Sequence, residues 1–490
     1  MRRTILAFVL LSALVLLVVR AGLFSDGRES RSHELKSGYK TVNAKSDVIA
    51  GAPDRVLWMW SGGVTPTSIT IKAKVLGDAS RAVLLVSETA EFRNPIRSSV
   101  AEITGTSGSI ASMSIAGLVP GRRYFYQITF EGDDDVPVGE FSTPEASPFS
   151  FKFALSGDAV TGSSHQVFRA IAEEKPFFYL ILGDLFYANI NTSNIGSYLD
   201  AYDLTLSSAA QSRLYRTAPV AYMWDDHDYA DNNSDKLAKG RESARIAYQL
   251  AVPHYPLPDQ SSVEQSCEND DRRACNAIYQ SFFVGNAYFI LTDLRSERDS
   301  RHLSDTAAKT MLGERQKEWF KQQLLHGSSN YAVTFWVSTV PYIEEKEQGS
   351  DGWGGYSNER REIADYLRKH SIDNLIILAA DAHMIALDDG SHSDYSSSDE
   401  IGQKIPVFHA AALNKRGSTK GGPYSHGTFP NPEPNTGQYG LVHVVESEDE
   451  GTCVSFDGKR VNSSADKIQT LLTWQRCFTD GSAKPLSGNY

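Results

Sequence analysis

The 490-residue sequence contains few cysteines and no excess of basic residues. Lysine and arginine total 48 while aspartate and glutamate total 60, which gives a formal net charge of −12. A chain with this balance is a poor general ligand for a nucleic-acid backbone, because such binding depends on clustered lysine and arginine. Hydrophobic residues make up 41% of the chain. This fraction excludes wholesale disorder and is enough for a sizeable buried core.

The start of the chain is apolar. Arg2 and Arg3 precede an apolar run from Ile5 to Val19. A positive start followed by about 15 apolar residues is typical of a secretory signal, whereas a membrane span needs about 20. A cleaved signal peptide (1–24) and an uncleaved membrane anchor through residues 4–24 therefore both stay open. In either case we expect a secreted or membrane-anchored extracytoplasmic protein.

Only four cysteines are present. None lies in a CxxC pair and no histidine cluster accompanies them, which argues against a zinc site. An even number of cysteines in an exported chain favours two disulfide bonds, for which three connectivities are possible. We expect nearest neighbours to pair, because each pair lies within one local segment: Cys267 with Cys275 and Cys453 with Cys477. Buried free thiols are the alternative.

Composition and periodicity divide the rest of the chain into four segments. Residues 25–49 are polar and predict a flexible stalk. Residues 50–146 contain short strands of period two, such as Ser68–Val75. Residues 147–445 alternate buried strands with amphipathic helices, which predicts an α/β main body. Residues 446–490 form a C-terminal extension with two apolar runs and the last two cysteines.

The stretch Leu118–Ile128 places a Pro-Gly turn before an aromatic strand. It resembles the fibronectin type III domain, whose sixth strand is commonly entered in this way. The resemblance implies a β-sandwich of about 90 residues. We assign this segment a structural role, because it carries no constellation of catalytic residues.

Acidic and imidazole groups follow the buried strands of the main body. They are Asp158, Asp184, the run Trp224-Asp225-Asp226-His227, and Asp381 with His383. Ligands bind beyond the carboxyl ends of parallel strands, so these groups are expected to converge. A helix N-cap would explain any one of these aspartates alone. Converging carboxylates repel each other unless cations separate them, which predicts a metal site.

The motifs that carry these residues are similar to those of a known enzyme family. They are Gly157-Asp158, GDxxY at Gly183–Tyr187, WDDH at Trp224–His227 followed by Asn232 and Asn233, and ADxH at Ala380–His383. Together they resemble the calcineurin-like metallophosphoesterases and, more closely, the alkaline phosphatase D (PhoD) family. Asp293–Arg298 and Trp353–Tyr356 with Arg360 are further matches. The resemblance covers roughly residues 50–445.

The resemblance implies a layered αββα metallophosphoesterase sandwich over residues 147–445, preceded by the fibronectin III-like sandwich. It implies an exported dinuclear-metal phosphoesterase that hydrolyses phosphomonoesters, phosphodiesters or both by attack of metal-activated hydroxide. Its partners would be small-molecule phosphate esters. A catalytically inactive cell-surface binding protein and a metal-dependent hydrolase of a non-phosphate ester stay open as alternatives.

The family's metal ligands map onto residues of this sequence. Asp184 would bridge two ions, while Asp158, Tyr187 and His383 complete one ion and Asp226 and Asp381 the other. An aromatic core position is the alternative for Tyr187. PhoD-type enzymes usually have Ser-Cys-Gln where this chain has Ser156-Gly157-Asp158, so the role of their cysteine ligand would pass to Asp158. A phenolate at Tyr187 favours Fe(III), and we expect Fe(III) beside a divalent ion (Ca, Zn, Mn or Mg).

The resemblance also implies catalytic roles. His227 would donate a hydrogen bond to a phosphoryl oxygen or protonate the leaving alkoxide. Arg295 would clamp the phosphate, because a guanidinium matches its oxygens. A buried ion pair between Arg295 and Asp293 or Glu297 is the alternative.

Further residues are expected around the ligands. Asp225 would orient His227 or Asn233. Asn232 and Asn233 would contact the ligand residues or the substrate. Trp353 and Tyr356 are candidates for lining the pocket, with plain core packing as the alternative.

Overall fold

Residues 151–410 alternate strands with helices, whereas the described residues before and after them form strands. The computed structural model describes residues 55–105, 108–130, 137–258, 271–398, 403–432, 435–464 and 467–478. The predicted signal segment, the predicted stalk and Cys267 lie outside these residues. Within the described ranges, no helix combines the length and the apolar character needed to cross a bilayer.

The elements of the fold are as follows. The strands are β1 (Val56–Gly62), β2 (Ser68–Val75), β3 (Arg81–Ser87), β4 (Ile96–Arg97), β5 (Ala101–Glu102), β6 (Ile110–Ala116), β7 (Arg123–Thr129), β8 (Gly139–Ser142), β9 (Phe151–Ser156), β10 (Tyr179–Leu182), β11 (Val220–Met223), β12 (Gln280–Val284), β13 (Ala287–Leu291), β14 (Val333–Val337), β15 (Leu375–Ala379), β16 (Met384–Asp388), β17 (Val407–Ala410), β18 (Thr428–Pro430), β19 (Thr436–Ser447), β20 (Gly451–Asn462) and β21 (Lys467–Phe478). The α-helices are α1 (Gln166–Glu173), α2 (Ile195–Leu206), α3 (Ala209–Thr217), α4 (Asp226–Tyr229), α5 (Arg241–Ala251), α6 (Glu314–Asn330) and α7 (Ser357–Lys369), with 3-10 turns at Arg272–Ala274 and Trp353–Tyr356.

The described strands form three sheets. The first has the order β21-β20-β19-β9-β10-β11-β1-β2-β6, the second β12-β13-β14-β15-β17-β16-β18, and the third β4-β3-β7-β8 with β5 beside β3. Strands β9, β10, β11 and β1 run parallel in the first sheet. Strands β13, β14, β15 and β17 run parallel in the second. Parallel strands bring their carboxyl ends to one edge, where ligands bind.

Aromatic side chains join the two larger sheets. Phe153 of β9 stacks on Phe178 with 4.9 Å between ring centroids and meets Phe289 of β13 and Phe335 of β14 edge-on at 5.4 Å. Each ring is buried, and such burial contributes on the order of 1.5–3 kcal/mol per side chain. The other face of the second sheet packs on helices α6 and α7, where Trp336 contacts Phe320. The result is a mixed α/β fold, as the alternation of strands and helices predicts.

The predicted sandwich segment divides between two sheets. Strands β1, β2 and β6 extend the nine-stranded sheet, while β3, β4, β5, β7 and β8 form the third sheet. Both groups share one buried core that includes Ile71, Leu84 and Tyr126. Strand β1 also runs parallel to β11, with Gly62 opposite Val220. The segment is therefore continuous with the main body, and its resemblance to fibronectin type III stays a prediction.

The C-terminal strands also belong to the main body. Strand β19 pairs with β9, so the boundary predicted at residue 445 falls inside a strand of the nine-stranded sheet. Cys453 and Cys477 lie opposite each other on β20 and β21 and form a disulfide bond. Cys275 is also disulfide-bonded. Its pairing with Cys267 falls outside the described residues.

Candidate metal centre

The predicted ligands follow the carboxyl ends of four parallel strands. Asp158 follows β9, Asp184 follows β10, Asp226 follows β11 and Asp381 follows β15, so the two sheets bring their acids to one edge. All four are buried, with exposed fractions of 1, 2, 2 and 7%. Together with Tyr187 and His383 we refer to these four aspartates as the ligand cluster.

Asp158, Tyr187 and His383 form one group within the ligand cluster. The phenol oxygen of Tyr187 lies 3.0 Å from Asp158 Oδ1 and 2.8 Å from His383 Nε2. His383 Nε2 is 3.1 Å from the same oxygen of Asp158. The backbone carbonyl of Arg416 accepts a hydrogen bond from His383 Nδ1 at 2.7 Å, which directs Nε2 to the other two groups. Three donor atoms of different chemistry therefore meet at one point.

Asp184, Asp226 and His227 form a second group. One potential ligand atom from each lies within 4.8 Å of the others. The backbone N–H of His227 donates to Asp184 Oδ1, and that of Asn233 donates to Asp226 Oδ2 at 2.6 Å. The negative charge of Asp184 also helps to raise the pKa of Tyr187. Asp184 thus acts on both groups of the ligand cluster.

Two carboxylate oxygens in the ligand cluster accept no hydrogen bond among the described residues. Asp226 Oδ1 and Asp381 Oδ2 are buried and have no hydrogen bond within the described part of the chain. The other oxygen of Asp381 accepts from Lys420 Nζ at 2.7 Å. An unpaired buried carboxylate oxygen is costly, so these oxygens fit a site that takes up cations. Oxygen donors with an imidazole are also a ligand set that metal ions prefer.

The backbone of the ligand cluster is strained. Asp158, Asp184, Asp381 and His383 have φ angles of +62°, +49°, +66° and +48°, in the left-handed region. Such residues cost on the order of 1 kcal/mol or more each and persist where the surrounding structure fixes them, often at functional sites. Gly183 has φ +94°, and a Cβ there would lie 2.5 Å from Asp225 Cβ. Only glycine lets β10 end this close to the start of α4.

The electrostatics of the ligand cluster show uncompensated negative charge. Burial raises the pKa of Asp184 well above its ordinary value, and the charges of Asp226 and Asp158 add to this rise. Burial lowers the pKa of His383, but Asp158 outweighs it, so the pKa lies above its ordinary value. Both shifts indicate that the cluster favours added positive charge.

His227 is oriented by Asn189. Its ring stacks on Tyr187 with 4.1 Å between centroids, and its Nδ1 contacts Asn189 Oδ1. The backbone N–H of Asn189 also donates to the carbonyl of His227 at 3.3 Å. An amide oxygen only accepts, so Nδ1 carries the proton and Nε2 keeps its lone pair. Burial lowers the pKa of His227, which favours this neutral ring.

Arg295 forms ion pairs with buried aspartates. Its side chain is fully buried and pairs with Asp225, through Nε to Oδ1 at 2.6 Å and Nη2 to Oδ2 at 2.7 Å. Its Nη1 donates to Asp351 at 2.8 and 3.0 Å. These contacts do not support the expected phosphate clamp, and they also differ from the alternative with Asp293 or Glu297. Asp293 instead accepts from the backbone N–H of Arg295.

Asp225 belongs to this same buried network. Its carboxylate accepts from Arg295 and from Thr339 Oγ1 at 2.7 Å, so its partners are not the expected His227 and Asn233. Arg298 donates to Asp351 at 2.6 Å and to the backbone carbonyl of Asn233 at 2.7 Å. We refer to Asp225, Asp351, Arg295 and Arg298 as the ion-pair network. It lies directly behind the ligand cluster, since Arg295 Nη2 is 3.8 Å from Asp226 Oδ1.

The remaining predicted residues lie at different depths. Asn232 is exposed, whereas the backbone of Asn233 holds Asp226 as described. Trp353 and Tyr356 are both 0% exposed. Trp353 Nε1 donates to Ser338 Oγ and the Tyr356 hydroxyl donates to the carbonyl of Asp299. Both aromatic residues are core residues and do not line an open pocket.

A family model described as "PhoD-like phosphatase" matches residues 151–421, which is more than half of the chain. The chain belongs to this family. It is 22% identical over 371 residues to alkaline phosphatase D of Bacillus subtilis (strain 168), a match that covers 66% of this chain and 59% of that protein. The chain thus spans about three fifths of that relative's length. The family predicted from the sequence, a family of phosphatases, is confirmed.

Solved structures agree on the fold. The chain is similar to the structure of PhoD, with a TM-score of 0.69 and 16% identity over 90% of this chain and 94% of that chain. It is also similar to a purple acid phosphatase from yellow lupin (Lupinus luteus) seeds, with a TM-score of 0.57 and 12% identity over 86% of this chain and 74% of that chain. At these identities the likeness shows a shared fold.

The position at which the resemblance would place a cysteine is Gly157 in this chain. A Cβ on Gly157 would lie 3.0 Å from the carbonyl of Gly183 and 3.1 Å from Ala380 Cβ. The ends of β9 and β10 leave little room there for a side chain such as cysteine. Asp158 therefore carries the acidic group that follows β9.

Sequence reasoning missed several residues of the site. Asn189, Lys415, Lys420 and Asp351 all contact the ligand cluster, His227 or the ion-pair network. Asn189 lies two residues after the GDxxY motif, which is the one signal that could have indicated it. The two lysines and Asp351 lie in loops without a motif, so only the folded chain brings them to the site.

Proposed function

We propose that this protein is an exported metal-dependent phosphoesterase that hydrolyses phosphomonoesters, phosphodiesters or both. The observation that carries the proposal is the set of four buried aspartates, two of which have an oxygen without a hydrogen bond among the described residues. Their carboxylates need cations to be stable at this depth. Membership of the PhoD-like phosphatase family supports the phosphate ester as the bond that is cleaved. The signal-like start of the chain and the disulfide bond support export.

We assign the ligand cluster to two metal ions. Asp158, Tyr187 and His383 would hold one ion, Asp226 and Asp381 the other, and Asp184 both. The proximity of Asp184 to Asp226 and His227, and the effect of its charge on the pKa of Tyr187, support a bridging role. Bound ions would supply neutralisation of the phosphoryl oxygens and activation of water.

Residues of the protein itself orient His227 and set which of its ring nitrogens carries the proton. Asn189 fixes the ring of His227 with the Nε2 lone pair available. His227 must therefore gain a proton before it donates to a phosphoryl oxygen or to the leaving alkoxide. The ion-pair network holds the start of α4, and so the positions of Asp226 and His227. Arg295 acts here as a positioning residue.

For the metals we propose Fe(III) beside a divalent ion. Burial and the charges of Asp158 and Asp184 raise the pKa of Tyr187 well above its ordinary value. The phenol therefore stays protonated unless a strongly charged cation replaces its proton. A trivalent ion meets this requirement best. A tyrosinate-to-iron absorption band that disappears in Tyr187→Phe would support this assignment.

The test combines metal analysis with a panel of phosphomonoesters, phosphodiesters and carboxylic esters. Asp184→Asn should lose metal and activity together, because it removes the carboxylate shared by both ions. His227→Ala should keep its metals and lower turnover about 10²–10⁴-fold, the range for a positioned acid–base group. Asp200→Asn, at an exposed position of α2, is the control and should change neither.

Three results would overturn parts of this proposal. Metal loss in His227→Ala would make His227 a ligand, and full occupancy in Asp184→Asn would remove the bridging role. A metal-loaded protein without hydrolytic activity would favour the inactive binding protein. Hydrolysis of carboxylic esters alone would favour the other hydrolase class.

A further inference from the structure

The loop between β17 and β18 brings two lysines to the ligand cluster. Lys420 Nζ lies 2.7 Å from Asp381 Oδ1, and Lys415 Nζ lies 3.6 Å from the centroid of the Tyr187 ring. Arg295 is enclosed in the ion-pair network, whereas these two lysines lie beside the ligands and reach solvent. Lys415 is half-buried and Lys420 is exposed. Either could meet the negative charge of a phosphoryl group.

The two lysines differ in their partners. Lys420 forms an ion pair with Asp381. Within the described ranges, no carboxylate lies within ion-pair distance of Lys415 Nζ. The ammonium lies over the face of the Tyr187 ring. Lys415 is therefore a cation beside the site without an anion of its own.

The backbone of Lys415 is held in place. Asn431 Nδ2 donates to the carbonyl of Lys415 at 2.8 Å, and the next carbonyl along the chain, that of Arg416, accepts from His383 Nδ1. Ser418 Oγ donates to the carbonyl of Ala382 at 2.9 Å. The loop is thus tied to the ADxH segment that carries two of the ligands. The side chain of Lys415 can turn while its Cα stays beside the ligand cluster.

We propose that Lys415 binds a non-bridging oxygen of the substrate's phosphoryl group, an inference that rests on the proposed phosphoesterase function. A charge-assisted hydrogen bond to an anion is stronger than a contact between an ammonium and an aromatic face at a half-exposed position. A phosphate at the ligand cluster would therefore draw the ammonium from the Tyr187 ring. Lys415 takes the role that the sequence assigns to Arg295.

The test is the affinity of inorganic phosphate for the metal-loaded protein, measured by calorimetry. Lys415→Met should weaken binding about 10–100-fold, the effect of losing one hydrogen bond between charged groups. Lys415→Arg should restore most of the affinity. Lys346→Met, which removes a lysine whose side chain is 61% exposed, is the matched control and should bind phosphate like the wild type. Metal content and melting temperature are measured for each variant.

The outcomes separate this inference from the proposed function. Unchanged phosphate affinity in Lys415→Met, with hydrolysis intact in the wild type, would overturn the inference and leave the function standing. Loss of metal together with affinity would also overturn it, since Lys415 would then only support Tyr187. If the methionine variant does not fold, Lys415→Gln replaces it under the same criteria. A wild type that binds phosphate through Lys415 without hydrolysing any ester would contradict the proposed function alone.

Discussion

Two neighbouring residues, Asp225 and Asp226, show how the same side chain serves two purposes. Both are buried, with 1 and 2% exposed. Asp225 accepts two hydrogen bonds from Arg295 and one from Thr339, whereas Asp226 Oδ1 accepts no hydrogen bond among the described residues and lies 3.8 Å from Arg295 Nη2. The first carboxylate is neutralised inside the protein. The second keeps an oxygen that is free to bind a cation.

The same contrast holds for the two clusters as wholes. In the ion-pair network, two arginines face two aspartates. Burial favours the neutral acid, yet Arg295 and Arg298 hold the pKa of Asp351 below its ordinary range. In the ligand cluster, burial and the neighbouring acids raise the pKa of Asp381 to about 7 although Lys420 opposes this. In one cluster the charges are balanced inside the protein, whereas the other holds buried acids whose charge cations would balance.

The largest effect is expected from breaking the ion-pair network at Arg295. Arg295→Met leaves Asp225 without its bidentate partner and Asp351 with Arg298 alone. Removing one partner of a buried ion pair costs about 3–5 kcal/mol. Urea unfolding of the protein, after a chelator has removed its metals, should show this loss in the unfolding free energy. Arg361→Met, at an exposed position of α7, should change the unfolding free energy by about 0.5 kcal/mol or less.

A small loss would contradict this description of Arg295. If the unfolding free energy of Arg295→Met lies within about 1 kcal/mol of the wild-type value, the network does not stabilise the fold. If that variant also binds phosphate more weakly at full metal content, the phosphate clamp returns as its role.

The next effect is a pH dependence of the metal-free protein. The pKa of Asp381 is raised from 3.8 to about 7, so the folded state keeps a proton that the unfolded state releases. Stability must therefore fall as pH rises from about 4 to about 7, by roughly 2–4 kcal/mol at most. Asp351, with its lowered pKa, has the opposite sign: its contribution is present above the ordinary aspartate range and is lost as pH falls below it.

Unfolding of the chelated protein at several pH values measures this dependence. In Asp381→Asn, the unfolding free energy should fall less steeply with rising pH. In the wild type, added metal should abolish this fall. An equal decline in Asp381→Asn would assign the titration to other groups of the ligand cluster.

The main body could be predicted well because local patterns determine it. The strands Val220–Met223 and Leu375–Ala379 lie where the sequence predicts alternating buried strands and helices. Both runs are mostly apolar and buried throughout, as is typical of strands covered on both faces. The insertion of β1 beside β11 and of β19 beside β9 was not predictable, because each pairing joins residues more than 150 positions apart.

The candidate site shows the same division. The ligand residues were found because each follows a strand and belongs to a motif. The roles of Arg295 and Asp225 were not, because whether an arginine binds a substrate or a neighbouring acid depends on Asp351, which lies in a loop 56 positions further along. Lys415 was missed for the same reason. Charged residues in loops reveal their partners only in the folded chain.

The smallest effect tests whether the two clusters are independent. Thr339 is 0% exposed and its hydroxyl donates to Asp225 Oδ1 at 2.7 Å, the same oxygen that accepts from Arg295 Nε. Thr339→Val keeps the shape and removes this donor, while Arg295 still satisfies the carboxylate. We expect a loss of about 1–2 kcal/mol in the unfolding free energy, the lower part of the range for hydrogen bonds to charged groups. Metal content and turnover should stay those of the wild type, because no ligand loses a contact. A variant of unchanged stability with reduced turnover would show that the ion-pair network tunes Asp226 directly, and the separation of the two clusters would then be wrong.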